Sequence, residues 1–229
     1  MLVGIHQLHY LPWLRYFEKI ARSDVFVVLD NIQFNKGGWQ NRNKIKSSQG
    51  AQVLTVPIGH GLGQTLDEVV IGGDGRWARK HFRSLEQAYG ASPYWKLHKD
   101  FLQDCYARKW VHLNDLNRHM LAYWVGALGI ETEIVYASSL DVPGVATERL
   151  IHLVKAVGGT QYYSGAYALE VYLDGEALAE AGIELVLQAW RGPEYPQRFG
   201  DFVPDLAIVD LLMQCGPDSL ARLMEGGAV

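Results

Sequence analysis

The chain has 229 residues, of which 48% are hydrophobic and 20% are charged, and its net charge at pH 7 is −4. This composition is typical of a soluble globular protein with one sizeable core, and the negative charge argues against general binding to nucleic acids or membrane surfaces. Two cysteines are too few for a disulfide framework, and the start of the chain lacks the pattern of a signal peptide. We therefore expect a cytoplasmic protein with no membrane partner.

The amino-terminal part of the chain predicts a strand, a helix and a second strand. Residues 2–5 are a short apolar run typical of a buried strand. Apolar and aromatic side chains recur at helical spacing over residues 13–21, which predicts an amphipathic helix. Residues 25–29 are β-branched, aromatic or aliphatic throughout, as in strands covered on both faces. This βαβ unit predicts a parallel pair of strands with a right-handed crossover.

Strands and helices continue to alternate along the rest of the chain. Further strands are predicted over residues 53–58, 66–71, 134–137, 161–164 and 183–188. Further helices are predicted over residues 77–89, 94–107, 114–128, 148–157 and 207–214. The glycine-rich segment 59–64 lacks the Lys and the Ser or Thr of a Walker motif, so it is predicted to be a surface loop.

Together these elements predict one α/β domain over residues 1–229. Alternation of strands and helices favours a Rossmann-like, mainly parallel sheet, because each parallel connection needs a crossover. The helical pattern of the middle third, about residues 76–129, predicts a helical subdomain inserted between sheet elements.

Polar side chains follow both strands of the amino-terminal unit. His6 and Gln7 follow the first apolar run, and Asp30 follows the second. Ligands of open parallel sheets bind beyond the carboxyl ends of the strands, and imidazole titrates near neutral pH, so His6 is a candidate general base. Asp30 is expected to orient His6 or to bind a hydroxyl or amine of a substrate. The alternative for His6 is a structural hydrogen bond to the next strand.

An acid-free basic segment follows Asp30. Between residues 31 and 66 there is no Asp or Glu, while Lys36, Arg42 and Lys44 fall inside. Such a loop beside a strand end would attract a phosphate or diphosphate, and a guanidinium group can hold two oxygens at once. A solvated loop is the alternative. Among the cations, Gln33 and Asn41 can form directional hydrogen bonds, and Trp39 provides a flat ring.

Other candidate site residues lie on neighbouring elements. Tyr10 and Trp13 are three residues apart and form either a core stripe or a ring platform for a sugar or base. Tyr163 and Ser164 end a later strand and are expected to line the same pocket. His9 is expected to face solvent, and no metal site is predicted.

These residues belong to a longer pattern by which the chain resembles the WbqC-like family, bacterial proteins often encoded among genes for O-antigen and other surface polysaccharides. The chain departs from the family pattern at Leu8, where proline is usual, and at His9, an additional imidazole. The motifs that carry the resemblance are His6-Gln7, Tyr10-Leu11-Pro12-Trp13, Tyr16-Phe17, Leu29-Asp30, Gln33-Phe34 and Trp39-Gln40-Asn41-Arg42.

The resemblance implies a transferase that moves an acyl or aminoacyl group onto an amine of a phosphate-containing small-molecule acceptor. In this hypothesis His6 removes a proton from the amine, the cations hold the phosphates, and Gln7, Gln33 and Asn41 align polar groups. The donor is expected to be an activated acyl or aminoacyl group, supplied by a carrier protein or an aminoacyl-tRNA. The alternative is that a nucleotide takes part. Two other functions remain open. They are an ATP-dependent ligase or nucleotidyltransferase-like enzyme, by fold-level analogy, and a non-catalytic binding protein of a polysaccharide assembly.

Overall fold

The computed structural model describes residues 1–59, 63–171 and 173–226, and within them five parallel strands form one sheet. The strands in chain order are β1 (Leu2–Gln7), β2 (Val25–Leu29), β3 (Arg42–Ser47), β4 (Gly50–Thr55), β5 (Glu133–Tyr136), β6 (Gln161–Gly165) and β7 (Glu184–Gln188). The sheet order is β5-β2-β1-β6-β7, while β3 and β4 form a separate antiparallel hairpin. Counted within the sheet alone, this order is 3-2-1-4-5, in which the direction of strand addition reverses beside β1.

Helices cover both faces of the sheet. They are α1 (Leu14–Arg22), α2 (Arg76–Tyr89), α3 (Trp95–Ala107), α4 (Leu113–Leu128), α5 (Ala146–Ala156), α6 (Ala166–Val171), α7 (Gly175–Glu180), α8 (Ile208–Cys215) and α9 (Ser219–Met224). On one face, α1 packs on Phe26 and Val28 of β2. On the other face, α5 and α7 pack on Val3 and Val27. The predicted α/β class is therefore confirmed.

The helices α2, α3 and α4 lie between β4 and β5 in the chain, as the pattern of the middle third predicts. Their buried side chains, such as Leu85, Leu102 and Trp124, belong to the same hydrophobic core as Phe17 of α1. The helical segment thus shares its core with one face of the sheet. Among residues 1–59, 63–171 and 173–226, no helix has the length and apolar character that a bilayer crossing requires.

The main error in the predicted elements is β3, which the sequence predicts to be loop. Its buried positions include Asn43 and Lys46, so the alternation of apolar and polar residues that marks a strand is missing. The amide of Asn43 donates a hydrogen bond of 2.7 Å to the carbonyl oxygen of Leu11, which makes its burial possible. The predicted strand 66–71 is a short 3-10 helix, Leu66–Glu68, followed by isolated bridges. Within the predicted loop 59–64, residues 60–62 lie outside the described part of the chain.

A late segment of the chain joins β3 to the turn after β1. The backbone N–H of Ala207 donates to the carbonyl oxygen of Lys44 at 2.8 Å, and the N–H of Ile208 donates to that of Pro12, also at 2.8 Å. Ala207 also forms an antiparallel bridge with Trp13. Backbone hydrogen bonds therefore fix β3 beside the turn that precedes α1.

Candidate functional site

His6 lies near the carboxyl end of β1, on the face that α1 covers. Its ring contacts the rings of His9 and Tyr16, with centroid distances of 4.8 and 5.0 Å. Nδ1 donates a hydrogen bond of 3.3 Å to the carbonyl oxygen of Gln7, which leaves Nε2 as the basic nitrogen. Burial lowers the pKa of His6 well below its usual range, and the charges of His9 and Lys19 lower it further. The ring is therefore neutral at neutral pH, and the lowered pKa makes Nε2 a weaker base than an exposed imidazole.

Asp30 follows β2 at the same edge of the sheet, but its carboxylate has other partners. It is fully buried, accepts hydrogen bonds of 2.9 and 2.7 Å from the N–H and hydroxyl of Ser138, and forms an ion pair with Arg118. Its carbonyl oxygen accepts a hydrogen bond of 2.7 Å from Asn114. The expectation that Asp30 orients His6 is therefore wrong, since both carboxylate oxygens tie β2 to α4 and to the segment after β5.

His9 is buried, with 4% of its surface exposed, so the prediction of a solvent-facing side chain is wrong. The turn after β1 folds back towards α1 and places the ring between His6 and Trp13, 4.8 and 5.5 Å away. Burial lowers the pKa of His9 to about 3. Its Nδ1 atom has no hydrogen-bond partner in the part of the chain that the structure describes.

A row of rings continues from His9 to the cations of β3. The ring of Trp13 lies 5.1 Å from that of Trp39. The guanidinium carbon of Arg42 and the ammonium of Lys44 lie 5.5 and 5.8 Å from the centre of the Trp39 ring, within the range of cation–π attraction. The structure therefore brings two predicted aromatic residues and two predicted cations into one contiguous surface.

A surface pocket of about 570 Å³ lies at the far end of this row. Three of the predicted binding residues, Lys36, Asn41 and Arg42, contribute to its wall. The other lining residues are mainly apolar residues and glycines, namely Phe34, Gly37, Thr55, Val56, Pro57, Ile58 and Gly59. An apolar pocket with a few convergent polar groups is the usual form of a small-molecule site.

The pocket presents polar groups that still lack partners. Arg42 donates to the carbonyl oxygen of Gly37, while its Nε is buried and unpaired among the described residues. The amide nitrogen of Asn41 donates to the carbonyl oxygen of Val56 at 2.8 Å, and its buried Oδ1 is likewise unpaired there. Two residues of the wall therefore carry a buried donor and a buried acceptor that are unpaired among the described residues.

Gln7 and Gln33 shape this region through a third amide. The side chain of Gln40 is fully buried and donates to Oε1 of Gln7 at 3.2 Å and to the carbonyl oxygen of Gln33 at 3.4 Å. Its own Oε1 accepts a hydrogen bond of 2.7 Å from the N–H of Asn35. In this arrangement Gln7 holds the loop after β2, and the side chain of Gln33 is exposed.

Tyr10 lies in the core and not in the pocket. Its side chain is fully buried, and its hydroxyl hydrogen-bonds to Nδ1 of His81 at 2.8 Å and to the hydroxyl of Tyr106. The core-stripe interpretation of Tyr10 is therefore correct, and the predicted contact with a ligand is not supported. Its role is to join the turn after β1 to α2 and α3.

Tyr163 and Ser164 are buried and point to opposite faces of β6. The hydroxyl of Tyr163 donates to the carboxylate of Glu18 on α1 at 3.0 Å. Ser164 is 1% exposed and follows Tyr163, the last residue of β6 that pairs with β1. Neither residue lines the pocket beside Arg42.

Sequence reasoning did not select Lys19, which α1 places beside His6. Lys19 is 5% exposed and lies on the inner side of α1 together with Tyr16 and Ile20. A cation three residues after Tyr16 and one before Ile20 interrupts the buried side of an amphipathic helix. That interruption is the signal in the sequence that points to Lys19.

Fold and site together define an α/β protein with a parallel sheet, a half-buried imidazole near the carboxyl end of its central strand, and a cationic pocket beside it. The model of the WbqC-like protein family matches residues 7–222, and the chain belongs to this family. It is 35% identical over 222 residues to the uncharacterized protein Rv1507c of Mycobacterium tuberculosis, and the match covers 95% of each chain. No solved structure matches the chain.

Proposed function

We propose that this protein is a transferase that forms an amide, moving an acyl or aminoacyl group onto an amine of a phosphate-containing acceptor. The proposal places it in the synthesis of surface polysaccharides or related small molecules. The observation that carries it is the continuous path from the neutral ring of His6 through His9, Trp13 and Trp39 to Arg42. In the proposal His6 is the base and the cations near Trp39 bind the phosphate, and the row of rings between them links the two groups that a phosphorylated amine acceptor requires.

In the proposed reaction His6 acts as a general base. The nitrogen of the acceptor attacks the carbonyl carbon of the activated acyl group, so a C–N bond forms and the bond to the thiol or hydroxyl leaving group breaks. Nε2 of His6 takes the proton that the amine loses and returns it to the leaving group. The hydrogen bond from Nδ1 to the carbonyl oxygen of Gln7 fixes the ring in the tautomer that this transfer needs.

Lys36, Arg42 and Lys44 are assigned to the phosphates of the acceptor. Lys36 lines the pocket, and Arg42 has a buried Nε without a partner among the described residues. A phosphate oxygen at this place would receive a charge-assisted hydrogen bond. The ring of Trp39 offers a flat surface on which a sugar or base can pack. The donor is proposed to be an acyl or aminoacyl group on a carrier protein or a tRNA.

A second candidate function follows from the strand order. The order 3-2-1-4-5 is that of doubly wound sheets that bind nucleotides, and we assign this sheet to the Rossmann-like class on that basis. An ATP-dependent ligase would activate its acid with a nucleotide before the amine attacks. It would depend on ATP and magnesium, whereas transfer from a thioester or an aminoacyl-tRNA would not.

The test is to incubate the purified protein with nucleotide-linked amino sugars and either an acyl thioester, an aminoacyl-tRNA, or free acid with ATP and magnesium. Mass spectrometry then detects the amide product. We expect His6→Gln to lower the rate about 100-fold or more, and His152→Gln on α5 to leave it unchanged. Amide formation at an equal rate by the His6→Gln protein would refute the base. Product formation only with ATP would select the ligase.

A further inference from the structure

β1 and β6 stop pairing before either strand ends. Their last paired residues are Gly4 and Tyr163, although β1 continues to Gln7 and β6 continues to Gly165. Each strand stays paired with its other neighbour to its carboxyl end. The two strands therefore separate at their carboxyl ends, where the strand order of the sheet reverses. Such a crevice is the usual ligand position in open parallel sheets.

The side of this crevice that faces α1 has room for a ligand at Gly165. Gly165 pairs with Gln188, whose amide donates to the carbonyl oxygen of Arg15 on α1 at 3.0 Å, so both residues share that face. A Cβ atom built on Gly165 would meet no atom of the described residues within 4 Å. Gly165 is not among the glycines with positive φ, so its lack of a side chain leaves space and is not required by backbone strain.

Lys19 enters this region from α1. Its stem passes over Gly4 of β1, where a built Cβ would lie 3.3 Å from Cγ of Lys19. The residue is 5% exposed, and in the described part of the chain it has no ion pair and no hydrogen bond from its ammonium. The adjacent Glu18 does not pair with it, because that carboxylate is bound by Tyr163, Gln188 and Arg22.

The surroundings of Lys19 contain polar groups without hydrogen-bond partners among the described residues. Its charge acts on His6, the neighbouring residue of β1 on this face, and His9 adds a second imidazole beside that ring. Nδ1 of His9 and the hydroxyl of Tyr16 are buried, and neither has a partner among the described residues. A buried cation normally has a counter-ion, because an unpaired charge in an apolar interior is costly. The charge of Glu18 acts on Lys19 without an ion-pair contact, so the place in contact with the ammonium is open to an anion.

We propose that the crevice between β1 and β6 binds a phosphoryl group, with Lys19 as its charge partner and Gly165 as the floor that leaves room for it. An ammonium group is a common point-charge ligand of phosphate, and the reversal of strand order places the crevice where such sheets hold phosphates. The site goes beyond the proposed transfer reaction. It lies apart from the pocket beside Arg42 and does not depend on the amide chemistry.

Burial of Lys19 supports the same assignment. Burial lowers the pKa of its ammonium to about 8, while Glu18 raises it and Arg15 lowers it. The group therefore remains mainly protonated at neutral pH and able to hold a phosphate. A bound phosphate would favour the charged form and offset the desolvation of the ammonium.

The test measures binding of pyrophosphate by calorimetry in the Arg42→Gln background, which removes the guanidinium of the other cationic site. Lys19→Met preserves the length of the side chain and removes its charge, and Lys80→Met is the matched control on the exposed side of α2. We expect Lys19→Met to weaken binding about tenfold or more, and Lys80→Met to leave it unchanged. Equal binding by all three proteins would overturn the proposal.

Three further measurements test the proposal, and the first separates a functional cation from a structural one. Lys19→Met is expected to keep or raise the melting temperature of the ligand-free protein, because an unpaired buried charge is removed. A large fall in melting temperature with unchanged pyrophosphate binding would show that Lys19 is structural.

Gly165→Ala is expected to fold normally and to weaken pyrophosphate binding, and unchanged binding would exclude the crevice. Acetate at the same ionic strength is expected to bind more weakly, and equal binding of acetate would refute the phosphoryl assignment.

Discussion

Asp30 and Lys19 are both buried and ionisable, yet the structure treats them in opposite ways. The carboxylate of Asp30 has an ion pair with Arg118 and two hydrogen bonds from Ser138. The ammonium of Lys19 has no such partner among the described residues. A fully partnered buried charge stabilises the fold once it is in place, whereas an unpartnered one lowers stability and is typical of a site. The comparison therefore supports a structural role for Asp30, against the role that the sequence predicts for it, and is consistent with the proposed phosphoryl-binding role of Lys19.

Removal of Asp30 gives the most direct test of this contrast. We expect Asp30→Ala to lower the free energy of unfolding by about 3 kcal/mol or more, because Arg118 and Ser138 lose their shared partner. Denaturant unfolding monitored by fluorescence measures the change. Asp100→Ala on the exposed side of α3 is the control and should stay within about 0.5 kcal/mol of the original protein. A value for Asp30→Ala as small as that of the control would place Asp30 outside the structural network.

Gly4 and Gly165 lie in adjacent strands and differ in the space beside them, which is filled at Gly4 and open at Gly165. A Cβ added at Gly4 would collide with Ser23 and lie 2.9 Å from Cδ2 of Phe26. We expect Gly4→Ala to lower the free energy of unfolding by about 1–3 kcal/mol, as overpacking does. Gly165→Ala should change it by less than about 0.5 kcal/mol. The same unfolding assay compares the two variants, and equal losses would mean that the crevice at Gly165 is closed.

Acid titration tests whether the imidazoles behave as buried neutral groups. Burial lowers the pKa of His9 to about 3, whereas an unfolded histidine titrates near 6.5. Between these values the unfolded chain binds the additional proton, so stability present above pH 6.5 is lost as pH falls. We expect His9→Gln to reduce the slope of unfolding free energy against pH by about 1.4 kcal/mol per unit between pH 6 and 4. His152→Gln is the control, and an unchanged slope in the His9→Gln protein would show that His9 is not buried.

The pocket beside Trp39 allows a smaller test that depends on the proposed function. Arg42→Gln should raise KM for the phosphorylated acceptor about tenfold and leave kcat nearly unchanged, because the lost contact is made equally in ground state and transition state. Arg198→Gln is the matched control, because it removes a guanidinium that does not line the pocket. Steady-state kinetics with varied acceptor measures both constants. A fall in kcat with constant KM would place Arg42 at the reacting atoms and not at the phosphate.

The sequence predicts the scaffold better than the partners of individual side chains. Continuous apolar runs such as Val25–Leu29 and the periodicity of α2, α3 and α4 were sufficient, because burial of one face dictates both. β3 was not predictable from its pattern, since its buried Asn43 depends on a carbonyl oxygen of the distant Leu11. Local pattern likewise does not distinguish Tyr10 in the core from Trp13 in the row of rings.

The same limit explains the errors at the candidate site. The position of Asp30 after a strand was predicted correctly, but its partners Arg118 and Ser138 come from segments roughly a hundred residues later. Lys19 lies on a helix and not at a strand end, so the position rule for open sheets does not select it, although a cation on the inner side of a helix is unusual in itself. Charge and position are local properties of a sequence, whereas pairing is set by the tertiary fold.

The backbone bonds from Ala207 and Ile208 have a consequence for synthesis of the protein. They join β3, which carries Arg42 and Lys44, to the turn after β1. The cationic surface is encoded in the first quarter of the chain but receives these bonds only from residues near its end. During translation the early segment therefore lacks these hydrogen bonds until the late segment has been made. In a nascent or truncated chain without residue 207, the spacing between His6 and the cations would not be fixed.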